Sequence, residues 1–173
     1  MKKIFLRPKN RQKTSYYRKA SQEYYLCSFN RVLTGRCHSG DENGKTWFED
    51  AELEAVDESG NLVSGVITVS SSEWSEWAKE SSGQGFDALN NHVIVGREHK
   101  GDENGMTRYQ TGVLRYKGKL VRIVPYPNAD MCVYASHKKM VYPKNNLVII
   151  GIKHSGDENG ITTYCQGYIV ADK

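Results

Sequence analysis

A histidine, two carboxylates, an amide and a hydroxyl recur three times in this chain at one spacing, His-x-Gly-Asp-Glu-Asn-Gly-x-Thr. The copies are His38 with Asp41, Glu42, Asn43 and Thr46; His99 with Asp102, Glu103, Asn104 and Thr107; and His154 with Asp157, Glu158, Asn159 and Thr162. Two residues after each threonine stands an aromatic: Phe48, Tyr109 or Tyr164. Acids and amides exchange paired hydrogen bonds with sugar hydroxyls, and an aromatic plane takes the C–H face of a pyranose. These residues, with Tyr109 and Tyr164 as the polar aromatics, therefore form the expected ligand-binding set, and the ligand class they fit is carbohydrate. Weak sites repeated on one chain would gain through avidity.

Other chemistries fit the set less well. Oxygen donors at the turn tips suit calcium, but the spacing is not that of an EF-hand loop. His38, His99 and His154 would make a three-histidine metal centre only if all three converged. Histidine beside carboxylates is also acid–base equipment for a hydrolase, yet an enzyme has little use for three equivalent sites. The plain structural alternative is that Asp-Glu-Asn-Gly makes a tight turn and each histidine bonds a nearby carbonyl. A turn alone, however, calls for neither the glutamate, nor a histidine three residues before the aspartate, nor a threonine five after it. The expectation is thus a non-enzymatic binding module with no cofactor and no bound metal, whose partner is a glycan or another small polar ligand.

The elements around the motif follow from periodicity. Each copy is preceded by Asn-x-Val-(Leu/Ile)-x-Gly, beginning at Asn30, Asn91 and Asn146, and followed by an aliphatic at Leu53, Leu114 or Ile169. Apolar alternation on both sides of a turn predicts a hairpin. Strands are expected at 31–38, 45–56 and 62–69, then at 92–99, 106–116 and 119–124. Pairing Asp102 with Met106 across the turn would set Gly101 opposite Thr107 and His99 opposite Tyr109. Short helices are expected over 10–22, over 70–79 with Trp74, Trp77 and Ala78 on a core-facing side, and over 128–139 around Ala129, Cys132 and Val133.

The frames are 61 and 55 residues apart, but only 28 residues remain from Asn146 to the last residue. Residues 1–29 supply what the third copy lacks, a strand ending in proline (Lys3-Ile4-Phe5-Leu6-Arg7-Pro8) and a following helix-like stretch. The fold class expected is mainly β with short helices (β-rich α+β): one closed, pseudo-threefold domain spanning 1–173. Its repeats run approximately 30–90, 91–145 and 146–173, the last completed by 1–29. Closure of this kind leaves few exposed sheet edges. The architecture is analogous to that of lectins built as trefoils or prisms, without a family motif to match.

Composition narrows the remaining classes. A chain of 173 residues is long enough for one sizeable core. It has no apolar run of membrane-spanning length and no apolar stretch behind its basic N-terminus, so a cytoplasmic, membrane-free protein is expected, with non-classical release as the other route. Residues 1–20 hold eight of the 24 basic residues and none of the 20 acidic ones, so a +8 segment precedes a −4 body. With Tyr16, Tyr17, Arg18 and Lys19 clustered there, nucleic acid or a phosphate ligand is the second partner class. A protein-interaction scaffold, in which the motif is only a turn, is the third. Cys27, Cys37, Cys132 and Cys165 have no CxxC spacing, which argues against structural zinc.

Overall fold

The computed structural model describes residues 3–14, 17–18, 23–39, 44–102, 104–126, 132–135, 146–156 and 160–171. Every regular element among them is a strand. In order these are β1 (Ile4–Lys13), β2 (Tyr17–Arg18), β3 (Glu23–Leu26), β4 (Val32–Ser39), β5 (Lys45–Asp57), β6 (Ile67–Trp74), β7 (Ala78–Lys79) and β8 (Phe86–Asp87). They continue as β9 (His92–Lys100), β10 (Met106–Tyr116), β11 (Lys119–Leu120), β12 (Arg122–Pro125), β13 (Cys132–Ala135), β14 (Val148–Ser155) and β15 (Ile161–Ala171). Two antiparallel sheets result. One runs β2-β5-β1-β15-β14-β8, with β4 on β5 and both β12 and β13 on β15; the other runs β11-β10-β9-β3, with β6 and β7 on β10.

Three long hairpins, β4–β5, β9–β10 and β14–β15, carry one motif copy each, and their registers agree. His38 pairs with Thr46, His99 with Thr107 and His154 with Thr162. Each ladder also slips at the same place, so that Thr34, Val95 and Ile150 are the extra residues before Gly35, Gly96 and Gly151. A bulge inserts one residue and reverses the inside–outside alternation beyond it. That is the physical role of the x-Gly step in the frame. Around it Val32, Val93 and Val148 are buried in one apolar cluster with Leu53, Leu114 and Ile169, whereas their neighbours Leu33, Ile94 and Ile149 are buried in a second cluster with Phe48, Tyr109 and Tyr164. Matching positions of the three hairpins thus stack in matching layers.

Strand β1 pairs on one side with β5, from Ile4↔Asp57 to Lys13↔Glu49, and on the other with β15 through Ile4↔Ala171, Phe5↔Val170 and Leu6↔Ile169. Ile4 and Leu6 point into the first cluster. The N-terminal strand therefore ties the first hairpin to the last.

The expected helices are replaced by strand wherever they fall on described residues. Over 70–79 the chain forms β6, a break at 75–77, and β7, all against β10. The serines there find partners across the ladder: Ser72 Oγ donates to the Thr111 carbonyl, and Ser75 Oγ accepts from the Tyr109 amide at 2.9 Å. The helix-like spacing of Trp74 and Trp77 comes from the break between two strands, and neither indole enters a core cluster. Over 10–22, residues 10–13 end β1 and 17–18 form β2; over 128–139, residues 132–135 form β13, and the rest of both segments lies outside the described residues. No helix among the described residues is long and apolar enough to cross a membrane.

Candidate functional site

The observed register overturns the expected face-to-face set of histidine and tyrosine. Lys100, not Asp102, pairs with Met106, so His99 lies opposite Thr107 and Arg97 opposite Tyr109. The loop is five residues, Gly101 to Gly105, because both glycines are needed to close it. Gly101 takes φ 93°, as Gly156 takes φ 94° in the third hairpin, a region that other residues enter at a cost. At Gly105 a side chain would run into the Lys100 carbonyl oxygen and come within 2.8 Å of that of Asp102. The Asp102 carbonyl accepts the Gly105 amide at 2.9 Å and its Oδ1 accepts the Asn104 amide at 2.9 Å, so this aspartate shapes its own turn.

The histidine and threonine of each copy form a lock. Nδ1 meets the threonine Oγ1 at 2.8 Å in His38–Thr46, 2.8 Å in His99–Thr107 and 2.9 Å in His154–Thr162. In the second hairpin His99 Nε2 also stands 3.0 Å from the carbonyl oxygens of Gly101 and Asp102. Carbonyls only accept, so Nε2 bears the hydrogen and fastens the loop to the strand. His38, His99, Thr46, Thr107 and Thr162 are all buried, and His154 is half-buried. Tyr109 and Tyr164 are buried too; Arg36 donates to the Tyr164 hydroxyl at 3.0 Å, and Arg97 lies across the Tyr109 ring. Of the expected ligand set, only Asp102 and Asn104 are seen exposed. Asp41, Glu42, Asn43, Glu103, Asp157, Glu158 and Asn159 lie outside the described residues. Among the described residues no group of three His, Cys, Asp or Glu side chains is placed to hold a metal ion.

Sequence reasoning missed a charged network beneath the second hairpin. Arg97, fully buried, pairs with Glu23 of β3 and, at 2.6 Å, with Glu80; Glu80 Oε2 in turn lies 3.3 Å from His99 Nδ1. Burial would push the Glu23 carboxyl up, but Arg97 and Arg36 outweigh it and hold the group below its ordinary 4.5. The same carboxylates hold Arg97 firmly charged against its own desolvation.

Between the second and third hairpins this network opens into a cleft of about 210 Å³, lined by Trp77, Glu80, Gln84, Phe86, Tyr109 and His154 among others. Phe86 stacks on Tyr109 with centroids 4.8 Å apart. The same stack recurs between the first and second hairpins, where Tyr25 lies on Phe48 at 4.2 Å and, two residues before it, Glu23 pairs with Arg97. The two places differ in chemistry, with the buried Glu23–Arg97 ion pair in one and the exposed Gln84 at the corresponding position in the other. Gln84 and Phe86 stand at the same offsets before Asn91 as Glu23 and Tyr25 before Asn30, a repeat outside the motif frame that sequence reasoning missed, whereas Glu80 lies in the connection.

The basic N-terminal stripe meets acids when the chain folds. Arg7 binds Glu54 at 2.7 Å, Arg11 binds Glu49 at 2.9 Å and Asn10 donates to Glu52 at 2.9 Å, all across β1 and β5. Lys13 sits over the Trp47 ring. Two of the eight cations of the stripe, Arg7 and Arg11, thus meet acids in the fold. Cys27 is a free thiol, and burial pushes it up to about 12, far from a reactive thiolate at neutral pH. Cys165 is disulfide-bonded, and the register of β13 puts Cys132 opposite it.

No protein-family model, curated protein or solved structure matches the chain.

Proposed function

We propose that this chain is a non-enzymatic carbohydrate-binding module: one closed, pseudo-threefold β domain in which the motif hairpins are scaffold and the cleft between the second and third is the sugar site. The common register, the repeated bulge, the three histidine–threonine locks and the layered core triplets support the threefold reading. The observation that carries the functional reading is the cleft itself. It sets aromatic surface from Trp77 and Phe86 beside a carboxylate, an amide and an imidazole from Glu80, Gln84 and His154, in a volume of monosaccharide scale. Acid–base catalysis gains no support, because Glu80 is engaged by Arg97 and the histidines by their threonines. The disulfide at Cys165 favours an oxidising compartment over a reducing cytoplasm.

A glycan array followed by calorimetric titration tests the reading. Gln84→Ala and Trp77→Ala change groups outside the core and are expected to weaken binding of the sugar found on the array by about tenfold or more, with the circular dichroism spectrum retained. Failure of the wild-type chain to bind any glycan sinks it.

A further inference from the structure

Trp77 belongs to a second feature, on the outer face of the sheet formed by β3, β9, β10 and β6. The Arg108 guanidinium lies 5.0 Å from the Trp74 ring centroid and 4.5 Å from that of Trp77, while Lys100 Nζ lies 4.7 Å from Trp77. Tyr24 continues the row, its ring 5.6 Å from Trp74. The row lies flat because Gly96 has no side chain: Trp74 covers it, 3.1 Å from where a Cβ would stand. Tyr24, Leu26 and Met106 are each more than 40% exposed, so this apolar and aromatic surface is open. Its charge is lopsided. Glu98 pairs with Arg108 at 2.7 Å and with Lys100 at 3.5 Å, but its side chain is only 4% exposed, against 52% for Lys100 and 29% for Arg108. Lys79, exposed and paired in register with Met106, adds a further cation at the edge nearest the cleft. Glu73, at the irregular step of the ladder between Ser71 and Trp74, is the exposed acid nearest the row.

We propose that the ligand is an acidic oligosaccharide that seats one unit in the cleft and runs outward over Trp77, Trp74 and Tyr24, its carboxylate or sulfate groups met by Lys79, Lys100 and Arg108. This deepens the carbohydrate reading above and rests on it. The two regions divide the ligand by chemistry. The cleft is mixed in charge, with Glu76 beside Lys79 and with Glu80 already paired to Arg97, and takes an uncharged unit, whereas the outer face shows Lys100 and Arg108 to solvent and takes the charged ones. Aromatic planes supply contact to successive sugar rings, and cations above them give direction and salt dependence.

The test compares three probes by quenching of tryptophan fluorescence and by calorimetry: a heparin-derived hexasaccharide, a chitin-derived neutral hexasaccharide and a single-stranded dodecathymidylate. Tighter binding of the heparin fragment than of the other two, weakening as salt is raised, is expected. Lys79→Gln with Lys100→Gln should lower its affinity by about tenfold, and Trp74→Ala should lower it as well, which plain ion exchange would not show. Equal binding of acidic and neutral hexasaccharides, lost in Gln84→Ala but indifferent to Trp74→Ala and the lysine changes, overturns the extension and leaves the cleft reading standing. Binding of none of the sugars on the array or among these probes removes both. Preference for the oligonucleotide with the same sensitivities reassigns the face to single-stranded nucleic acid and overturns the proposal.

Discussion

At the scale of single residues, the feature with the largest energetic consequence is Glu23. It is fully buried, its partner Arg97 is fully buried, and removing it leaves Arg97 with Glu80 alone to balance its charge. Glu23→Gln is expected to destabilise the fold at neutral pH by about 2–3 kcal/mol, less than for a buried charge left wholly unpaired. Because Arg97 and Arg36 hold the folded carboxyl below its ordinary value, its contribution is complete above pH 4.5 and drains away as pH falls through the lower folded value. Denaturant melts of wild type and Glu23→Gln should therefore converge below pH 4.5. A gap that is constant from pH 7 to pH 3 would show that the carboxylate is not charged in the fold, or that shape alone matters at this position.

At the scale of the element, each hairpin is held by one repeated bond and differs in how far that bond is shielded. Replacing threonine by valine keeps the shape but leaves a histidine nitrogen without its partner. For the buried pairs, Thr46→Val and Thr107→Val, the expected cost is about 1–3 kcal/mol. His154 is half-buried, so water can replace the lost hydroxyl and Thr162→Val should cost distinctly less. Equal losses in all three, measured by urea denaturation, would contradict a lock whose strength is set by burial. The hairpins themselves were legible, since apolar alternation around Asp-Glu-Asn-Gly places both strands to within a residue or two. Register was not, because a loop of three residues and a loop of five are both compatible with that turn; the choice rests on close approach at Gly105, which no residue pattern displays. Residues 70–79, where the end of β6 and β7 run, carry a helix-like pattern for a similar reason. Trp74 and Trp77 have helical spacing, but their burial comes from Gly96 and Arg108 on other strands. The cleft residues are less visible because Gln84 and Phe86 repeat Glu23 and Tyr25 only in spacing, with different side chains, and Glu80 lies in the connection.

At the scale of the whole molecule, the question is whether closure is a property of the fold or an ornament at its start. Leu6 decides it. It is 1% exposed in the first core cluster, and the strand that carries it is bonded at once to Ala55 on β5 and to Ile169 on β15. Leu6→Ala removes buried methyl groups and should cost about 2–5 kcal/mol. The magnitude alone would not distinguish a closing strand from any other core strand, but the distribution of the damage does. Since β1 bridges the first and last hairpins, amide hydrogen exchange should quicken together at 53–57 and at 169–171, two segments more than a hundred residues apart in the chain. The ladder between β9 and β10, with which β1 shares core packing but no strand pairing, should keep its protection until global unfolding. Faster exchange confined to 53–57 would mean that β1 is an edge strand of the first hairpin and that the contacts with β15 contribute little. Joint loss on both sides would show that the first residues hold the last ones in place, and that the domain is stable only as a closed whole.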